Sequence, residues 1–358
     1  MSQHPLIELA NEREVRQSKG FRAAAEQLTG EGLAEMYQQE VANAPKRYDA
    51  DKKFLVSQKG VAPRGGKSGK PHEHLAIALV NRCRTAGEGL DLPAAPAGDT
   101  FDSLVYQMPL KARQSDPDTR IGKVDLIGSI PENRLAIVML KFVPPTATRG
   151  STGDTPLRAL LEGLAYTAIV QANRNEILDE IEESCGRKLS EEPPILIILG
   201  STRYWELCRK REAQKGAAWI NQMERLGQEI DENLGIEVRY LGLKLQGDPG
   251  WEYEEDKPVL DGTPILDRAW GLGAGKVRPK GKSKSKSKGD PIDEIVEADT
   301  SRPVRAYKIT DSYESGDSID HPTLGFGVVQ RSSGAGKIKV LFDETPRLLI
   351  HQRPSPGA

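Results

Sequence analysis

The sequence has few cysteines and no long apolar run, and each shortage excludes a class of protein. Cys83, Cys185 and Cys208 are odd in number and far apart, which argues against a disulfide framework and predicts a reducing, cytoplasmic environment. No Cys-x-x-Cys motif or cluster of histidine and cysteine occurs, so a structural zinc site is excluded. No apolar run reaches the roughly 20 residues of a membrane span, and residues 1–20 lack the apolar segment of a secretory signal.

An excess of charge and two catalytic motifs are also missing. The 50 Lys and Arg residues nearly balance the 52 Asp and Glu residues, for a formal net charge of −2. This balance excludes a polycation throughout the chain but permits a local basic groove. The Gly-x-x-x-x-Gly-Lys-Ser/Thr loop of ATP motors and the Gly-x-Ser-x-Gly motif of serine hydrolases do not occur.

Composition divides the 358 residues into four parts. Residues 1–70 have helical periodicity followed by a polar, glycine-rich connector, and residues 71–245 alternate between helix and strand patterns. Residues 246–300 are acidic and then rich in lysine and serine, which predicts a disordered linker, most clearly at 276–290. Residues 301–354 alternate apolar strands with glycine turns, which predicts a small β-barrel.

The second part carries the pattern of an α/β domain. The spacing of apolar residues predicts, in order, a helix from Pro71, three strands joined by turns, a helix, a buried strand, a helix and a last strand. A meander followed by crossover helices predicts a mixed central sheet with helices on both faces. The predicted strands are 101–112, 122–130, 134–143, 193–201 and 236–245, and the predicted helices after the first are 156–183 and 203–235.

Two charged residues interrupt the apolar strands of this domain. Asp125 lies inside the second strand, and Lys141 lies near the end of the third. A buried charge is costly unless it is paired or binds a cation. An exposed ion pair between Asp125 and Lys141 on an edge strand explains the same pattern without any site. The residue pattern alone leaves both interpretations open.

The order of these residues resembles the PD-(D/E)XK nuclease superfamily, which has the restriction-endonuclease-like fold. Glu73 opens the first helix, Asp125 lies in the following strand, and Lys141 closes the strand after the turn. The resemblance implies that Asp125 and a second acid hold one or two Mg²⁺ ions, with Mn²⁺ as a possible substitute. It also implies that Glu73 assists and that Lys141 orients water or stabilises charge at a phosphate. Mg²⁺ suits this role because it prefers carboxylate oxygens and can lower the pKa of bound water.

The sequence departs from the family pattern at the second acid, where it has Met139. A thioether is a poor ligand for a hard cation. In one interpretation the acid has moved to Glu162 on the next helix, because Glu162-x-x-x-Tyr166 resembles the Gln-x-x-x-Tyr helix of the RecB-like branch. Asp125 and Glu162 would then be the metal ligands, and Arg158 and Tyr166 would bind the substrate. A simple Arg158–Glu162 ion pair one helical turn apart is the alternative explanation of this helix.

In the other interpretation the nuclease is inactive. Met139 then fills the emptied position as part of the core, a common use of methionine. The fold would be kept for binding DNA or for contact with another protein.

The last part has a resemblance of its own. The segment HPTLGFGVV (321–329) is similar to the His-Pro-x-Phe-Gly-x-Gly-x-Val pattern of Tudor/SH3-like modules in bacterial DNA helicases and RNA-polymerase-binding regulators. It departs from that pattern at Leu324, where the modules have phenylalanine. The resemblance implies an SH3-like barrel at 301–354 that recruits a protein partner of the repair or transcription machinery, or nucleic acid.

The sequence therefore predicts a cytoplasmic, DNA-associated protein without a membrane segment. A Mg²⁺-dependent phosphodiesterase with a migrated acidic ligand is one hypothesis, and a catalytically inactive DNA-binding or adaptor protein of the same fold is the other. A structural protein whose barrel docks onto transcription or repair machinery is a more distant third. The sequence leaves open DNA or RNA as substrate, end or internal attack, sequence preference, oligomeric state and pathway.

Overall fold

A computed structural model of the chain divides it into two compact units, Met1–Val277 and Arg278–Ala358. The finer division into four parts stays a prediction. The predicted linker at 276–290 and most of the connector at 60–71 lie outside the described residues. The structure describes residues 3–56, 58–62, 70–87, 89–93, 95–96, 98–112, 120–149, 153–212, 219–270, 296, 298–299, 302–322, 324–332, 336–342 and 345–352.

The first unit contains the helices and strands predicted for residues 71–245 in the predicted order. It also has strands at 251–254, 257–260 and 265–268, where the sequence predicted the acidic part of a disordered linker, so the linker prediction is wrong for these residues. Its described helices are α1 (Pro5–Asn11), α2 (Arg13–Arg16), α3 (Phe21–Gln27), α4 (Gly30–Ala42), α5 (Pro71–Ala86), α6 (Pro156–Ala172), α7 (Arg174–Cys185), α8 (Thr202–Glu212) and α9 (Trp219–Leu234). Its described strands are β1 (Leu90–Asp91), β2 (Thr100–Pro109), β3 (Lys123–Ile130), β4 (Arg134–Lys141), β5 (Ile195–Ser201), β6 (Val238–Lys244), β7 (Trp251–Glu254), β8 (Lys257–Leu260) and β9 (Ile265–Arg268).

The helix predicted at 156–183 is wrong as a single element, because it breaks at Asn173 into α6 and α7. Asn173 has non-helical backbone angles, and its side-chain amide donates to the carbonyls of Ile169 and Pro45. Asparagine can satisfy nearby backbone groups in this way and so favours a helix end over a helix interior. The helix predicted at 203–235 appears as α8 and α9, with 213–218 outside the described residues.

A mixed seven-stranded sheet forms the centre of the first unit, in the order β1-β2-β3-β4-β5-β6-β9. Strands β1 to β4 are antiparallel neighbours, β4, β5 and β6 run parallel, and β9 returns antiparallel to β6. Every residue of β5 is buried, as its continuous apolar sequence predicts. The predicted mixed sheet is confirmed.

Helices cover both faces of this sheet, which also confirms the prediction. One core lies between the sheet and the helices α1–α4 and α6–α9, and it includes the buried Trp205 and Trp219. The other core lies on the opposite face, under α5 and the hairpin formed by β7 and β8. We call these the α6-side core and the α5-side core. Along the described chain, none of the helices combines the length and apolar character needed to cross a membrane.

The second unit is a nearly closed, barrel-like sheet of five strands. In sheet order these are β10 (Arg305–Ala306), β11 (Ser318–His321), β12 (Gly325–Ser332), β13 (Lys337–Phe342) and β14 (Thr345–Ile350). The unit has its own small core around Ile319, Val329 and Val340. The ring of His321 accepts a hydrogen bond from the Leu324 backbone N–H, so this histidine stabilises the turn between β11 and β12.

Candidate active site

A cavity of about 660 Å³ opens where α5 begins, β4 ends and α6 begins. It brings together every residue that the sequence predicts for the site, although these residues are spread over two helices and two strands. The lining includes Glu73, Asp125, Lys141, Arg158, Glu162 and Tyr166, together with Met139. The cavity is therefore the candidate active site.

Strands β3 and β4 stop pairing at this cavity. Their register runs from Ile130 opposite Arg134 to Leu126 opposite Val138 and ends there. At the next position a side chain of β3 replaces its backbone as the partner of β4. The Asp125 Oδ2 accepts the Leu140 backbone N–H at 2.9 Å. The separation of the two strands thus opens the site and directs an acid into it.

Asp125 is only 8% exposed, and β3 and β4 are central strands of the sheet. Among the described residues, the acids within ion-pair distance of Lys141 are Glu162 and Asp154. The alternative of an exposed Asp125–Lys141 pair on an edge strand is therefore wrong. A buried carboxylate at the point where two strands separate fits a site better than a surface pair.

The strand alternation also changes at the cavity. Tyr106 and Leu126, which are paired, pack in the α5-side core, whereas the next pair, Met108 and Val124, packs in the α6-side core. Residues two positions apart on a regular strand share one face. The regular alternation of faces is therefore interrupted between these pairs, and Gln107 at this point has a left-handed backbone with φ of +52°.

Gln107 is a site residue that the sequence analysis missed. Its side-chain Nε2 donates to Asp125 Oδ1 at 3.2 Å, and the residue lines the cavity. The signal in the sequence was a polar residue between the apolar Tyr106 and Met108 of β2. A polar residue in a strand does not by itself show which acid it contacts.

Lys141 lies in a network of charges at the start of α6. Its Nζ is 3.4 Å from Glu162 Oε2 and 3.8 Å from Asp154 Oδ1. Arg158 contacts the same two acids, at 3.3 Å from Asp154 and 3.7 Å from Glu162. The Arg158–Glu162 pair of the alternative interpretation is thus present, yet both residues also line the cavity. Asp154, which the sequence analysis missed, precedes the helix and completes the network.

The start of α6 is held in place by its cap. Thr155 accepts the Arg158 backbone N–H at 3.1 Å, and its hydroxyl donates to the Val15 carbonyl at 2.6 Å. Pro156 occupies the first turn, where its missing N–H costs nothing. The cap anchors the helix to α2, and the spacing of 158, 162 and 166 then directs these side chains to one face.

Tyr166 connects this helix to the beginning of β3. Its hydroxyl accepts the Gly122 backbone N–H at 3.0 Å and donates to Glu162 Oε1 at 3.3 Å. A Cβ atom at position 122 would lie 2.7 Å from the Tyr166 hydroxyl, so only glycine permits this approach. The tyrosine therefore orients the Glu162 carboxylate.

The charges in the cavity change one another's protonation. Burial raises the pKa of Asp125, Glu162 raises it further, and Lys141, His72 and the Leu140 N–H oppose the rise. Burial alone would lower the pKa of Lys141, but the neighbouring acids Glu162, Asp154 and Asp125 raise it. Lys141 therefore keeps its proton at neutral pH and can act as a cation or hydrogen-bond donor.

Met139, where the resemblance implies a second acid, is a core residue. It is 2% exposed and packs in the α6-side core. Its Cγ lies 2.8 Å from the point where a Cβ on Gly163 of α6 would be. The methionine thus packs closely against the helix that carries Glu162.

The cavity contains the two acids that the resemblance implies as metal ligands. Within the described part of the chain, no group of three or more His, Cys, Asp or Glu side chains could hold a metal. Asp125 and Glu162 share the cavity, and each is close enough for the charge of Glu162 to raise the pKa of Asp125. Mg²⁺ usually keeps several waters and binds one or two carboxylates together with substrate phosphates. The resemblance implies this role for Asp125 and Glu162.

Comparison with known proteins does not assign the chain to a family. No protein-family model matches the sequence, and neither a curated protein nor a solved structure matches it.

Proposed function

We propose that the protein is a Mg²⁺-dependent phosphodiesterase of the PD-(D/E)XK type that acts on DNA. The observation that carries the proposal is the cavity itself, in which the buried Asp125 lies with Lys141, Glu162 and Glu73. These residues come from separate elements, and the sheet topology and the capped helix place them together. Structural ion pairs alone do not require an acid buried at the separation of two central strands.

Each residue has a role that follows from its chemistry. Asp125 and Glu162 would hold the ion, which Mn²⁺ could replace, and the bound ion would activate water and neutralise charge on the phosphate. Lys141, which remains protonated, would donate to a phosphate oxygen or to the attacking water. Glu73, in the first turn of α5, lines the same cavity and would assist.

Arg158 is suited to bind the phosphate. Its planar guanidinium can donate two hydrogen bonds to one phosphate. Its Nε is buried and has no hydrogen-bond partner among the described residues. A buried donor without a partner is costly, and a substrate oxygen would remove that cost. Tyr166 would position the substrate together with Arg158.

The direct test is cleavage of linear, nicked and single-stranded DNA with Mg²⁺ or Mn²⁺. We expect metal-dependent cleavage that Asp125→Asn and Glu162→Gln each abolish. Glu237→Gln is the matched control, because Glu237 is ion-paired with Arg134 and Arg239 in a different cavity. Equal cleavage by the wild type and both site variants would identify a contaminant and contradict the proposal.

A catalytically inactive DNA-binding or adaptor protein of the same fold is the second candidate. Two observations favour this candidate. Met139 packs against Gly163 where a second acid would be needed. Glu162 is already ion-paired with Lys141 and Arg158, which leaves it less free to bind a metal ion. This candidate predicts DNA retention without cleavage, weakening steeply with salt as phosphate contacts are lost.

Met139→Glu distinguishes the two candidates. If the site is otherwise assembled, the added carboxylate should increase Mn²⁺ affinity, measured by calorimetric titration of the full chain. Met139→Gln is the control, because it adds a polar side chain of the same size without the charge. Loss of folding in both variants would instead show that position 139 serves only the core.

We also propose that the C-terminal unit is an SH3/Tudor-like module that recruits a protein partner. Phe326 and Leu348 are each 54% exposed on its strands, and exposed apolar side chains of this size often mark interaction surfaces. Recruitment would place the cavity near its substrate without adding chemistry.

A further inference from the structure

The backbone of Gln107 is strained in the middle of a paired strand. Its φ of +52° lies in the left-handed region, which residues with a Cβ rarely adopt. Such a conformation is unfavourable and persists only where the surroundings require it. The residues on either side of it remain paired with β3, so the strand is not broken there. Something at this position therefore maintains an unfavourable conformation.

The contact made by the side chain explains the conformation. Because Tyr106 pairs with Leu126 and Met108 pairs with Val124, Gln107 lies opposite Asp125. Its amide donates to Asp125 Oδ1 at 3.2 Å, while the other carboxylate oxygen accepts the backbone N–H of β4 at 2.9 Å. Both oxygens are thus held, and each keeps a lone pair for a further partner.

Other side chains near Asp125 do not provide this contact. Lys141, the nearest candidate, forms ion pairs with Glu162 and Asp154 instead. Among the described residues, Gln107 is the side chain that donates a hydrogen bond to Asp125. A neutral amide orients a carboxylate without cancelling its negative charge. A lysine or arginine at the same position would compete with a cation for the oxygen atoms.

We propose that Gln107 is a positioning residue of the cation site. Its amide fixes the Asp125 carboxylate in the orientation in which it faces the cavity, and the left-handed backbone of β2 is the conformation that makes this contact possible. The inference rests on the proposed metal-dependent function and adds to it a residue outside the four acids and bases of the motif. Hydrogen bonds that orient a ligating side chain typically contribute 10- to 100-fold to metal affinity.

Mn²⁺ titration and thermal unfolding of the full chain test this role. Gln107→Met keeps the length of the side chain but removes the donor, so we expect Mn²⁺ affinity to fall by about 10- to 100-fold. Gln107→Gly also removes the donor, but glycine adopts positive φ without strain. We therefore expect the same loss of affinity with an unchanged or higher melting temperature.

Gln58→Met is the matched control. Gln58 forms hydrogen bonds with the backbone N–H and carbonyl of Tyr106, at 3.0 and 3.1 Å, on the same strand. Its loss should lower the melting temperature and leave Mn²⁺ affinity unchanged, because it does not contact Asp125. If Gln107 had a purely structural role, its substitution would lower the Mn²⁺ affinity and the melting temperature together. We expect instead that Gln107→Gly lowers only the affinity and that Gln58→Met lowers only the melting temperature.

Two failures remain distinguishable. If the wild type binds Mn²⁺ and Asp125→Asn does not, but Gln107→Met and Gln107→Gly bind like the wild type, the role of Gln107 is overturned and the metal site stands. If the wild type itself binds no Mn²⁺, the metal-dependent function and the inference that rests on it are both overturned. Should Gln107→Met fail to fold, Gln107→Gly gives the answer alone.

Discussion

Asp125 is the residue on which the site depends, and its burial has a thermodynamic consequence. Its carboxylate accepts hydrogen bonds on both oxygens, from Gln107 and from the Leu140 backbone. Even so, burial raises its pKa above the ordinary value of 3.8. A buried acid in this condition destabilises the fold at neutral pH unless a cation is bound. Such conflicts between stability and local environment are typical of functional sites.

The first prediction concerns the pH dependence of stability in metal-free buffer. Between the unfolded and the raised folded pKa of Asp125, the folded chain binds more protons than the unfolded chain, so stability falls as pH rises through that window. Asp125→Asn removes this loss. We expect the variant to exceed the wild type in free energy of unfolding at pH 7, and the difference to shrink below about pH 4. Urea unfolding in EDTA at the two pH values measures it.

The converse result is equally clear. If Asp125→Asn is less stable than the wild type at pH 7 in EDTA, the prediction is contradicted. Neighbouring groups would then compensate the charge of the Asp125 carboxylate without a cation. Adding Mn²⁺ should stabilise the wild type and not the variant, because only a ligand that binds the folded state raises stability.

At the scale of elements, the site depends on the contact between β4 and α6. Gly163 lets the helix approach the sheet, since a Cβ there would lie 2.8 Å from both Met139 Cγ and Leu196 Cδ1. The helix that carries Arg158, Glu162 and Tyr166 can therefore lie directly over the end of β4. A bulkier residue at 163 would move these side chains away from Lys141.

The second prediction is that Gly163→Ala destabilises the fold. Overpacking costs about 1–3 kcal/mol, and we expect it to exceed the gain of about 1 kcal/mol from the better helix propensity of alanine. Chemical denaturation of the full chain measures the change. Gly227→Ala on α9 is the control, because its Cβ would meet its neighbours at ordinary distances of 3.5 Å or more.

Adding Met139→Ala to Gly163→Ala tests the contact itself. The smaller side chain leaves room for the new Cβ, so the effects of the two substitutions should be less than additive. Additive effects would mean that the clash is with Leu196 and that Met139 does not pack against α6 as closely as described.

At the scale of the whole molecule, the two units have separate cores. The first unit contains both cores of the seven-stranded sheet, and the second contains the small core around Ile319 and Val340. Every residue of the candidate site belongs to the first unit. Each unit therefore has the apolar interior that independent cooperative unfolding requires.

The third prediction follows from these separate cores. Calorimetry of the full chain should resolve two unfolding transitions, and Gly163→Ala should lower the temperature of only one. Val340→Ala, which removes a buried side chain of the second unit, should lower only the other. A single transition that both substitutions shift would show that the units unfold together.

The sequence alone predicted the mixed sheet with helices on both faces, and with the family resemblance it predicted residues that line one cavity. Alternating and continuous apolar patterns located β3, β4 and β5, because these periods are local properties of the chain. The antiparallel hairpin then required Asp125 and Lys141 to be near each other. Helical spacing put Glu162 and Tyr166 on one face of α6, since residues one turn apart share a face. Their assignment to the site came from the family resemblance.

Only the tertiary structure decided what these local patterns left open. It showed that Asp125 is buried, that β3 and β4 separate beside it, and that Gln107 and Asp154 belong to the site. It also placed Met139 against Gly163. None of these features follows from the periodicity of apolar residues in the sequence, because each depends on contacts between segments that are distant along the chain. The sequence therefore determined which side chains are available, and the packing of distant segments decided which of them meet and in what charge state.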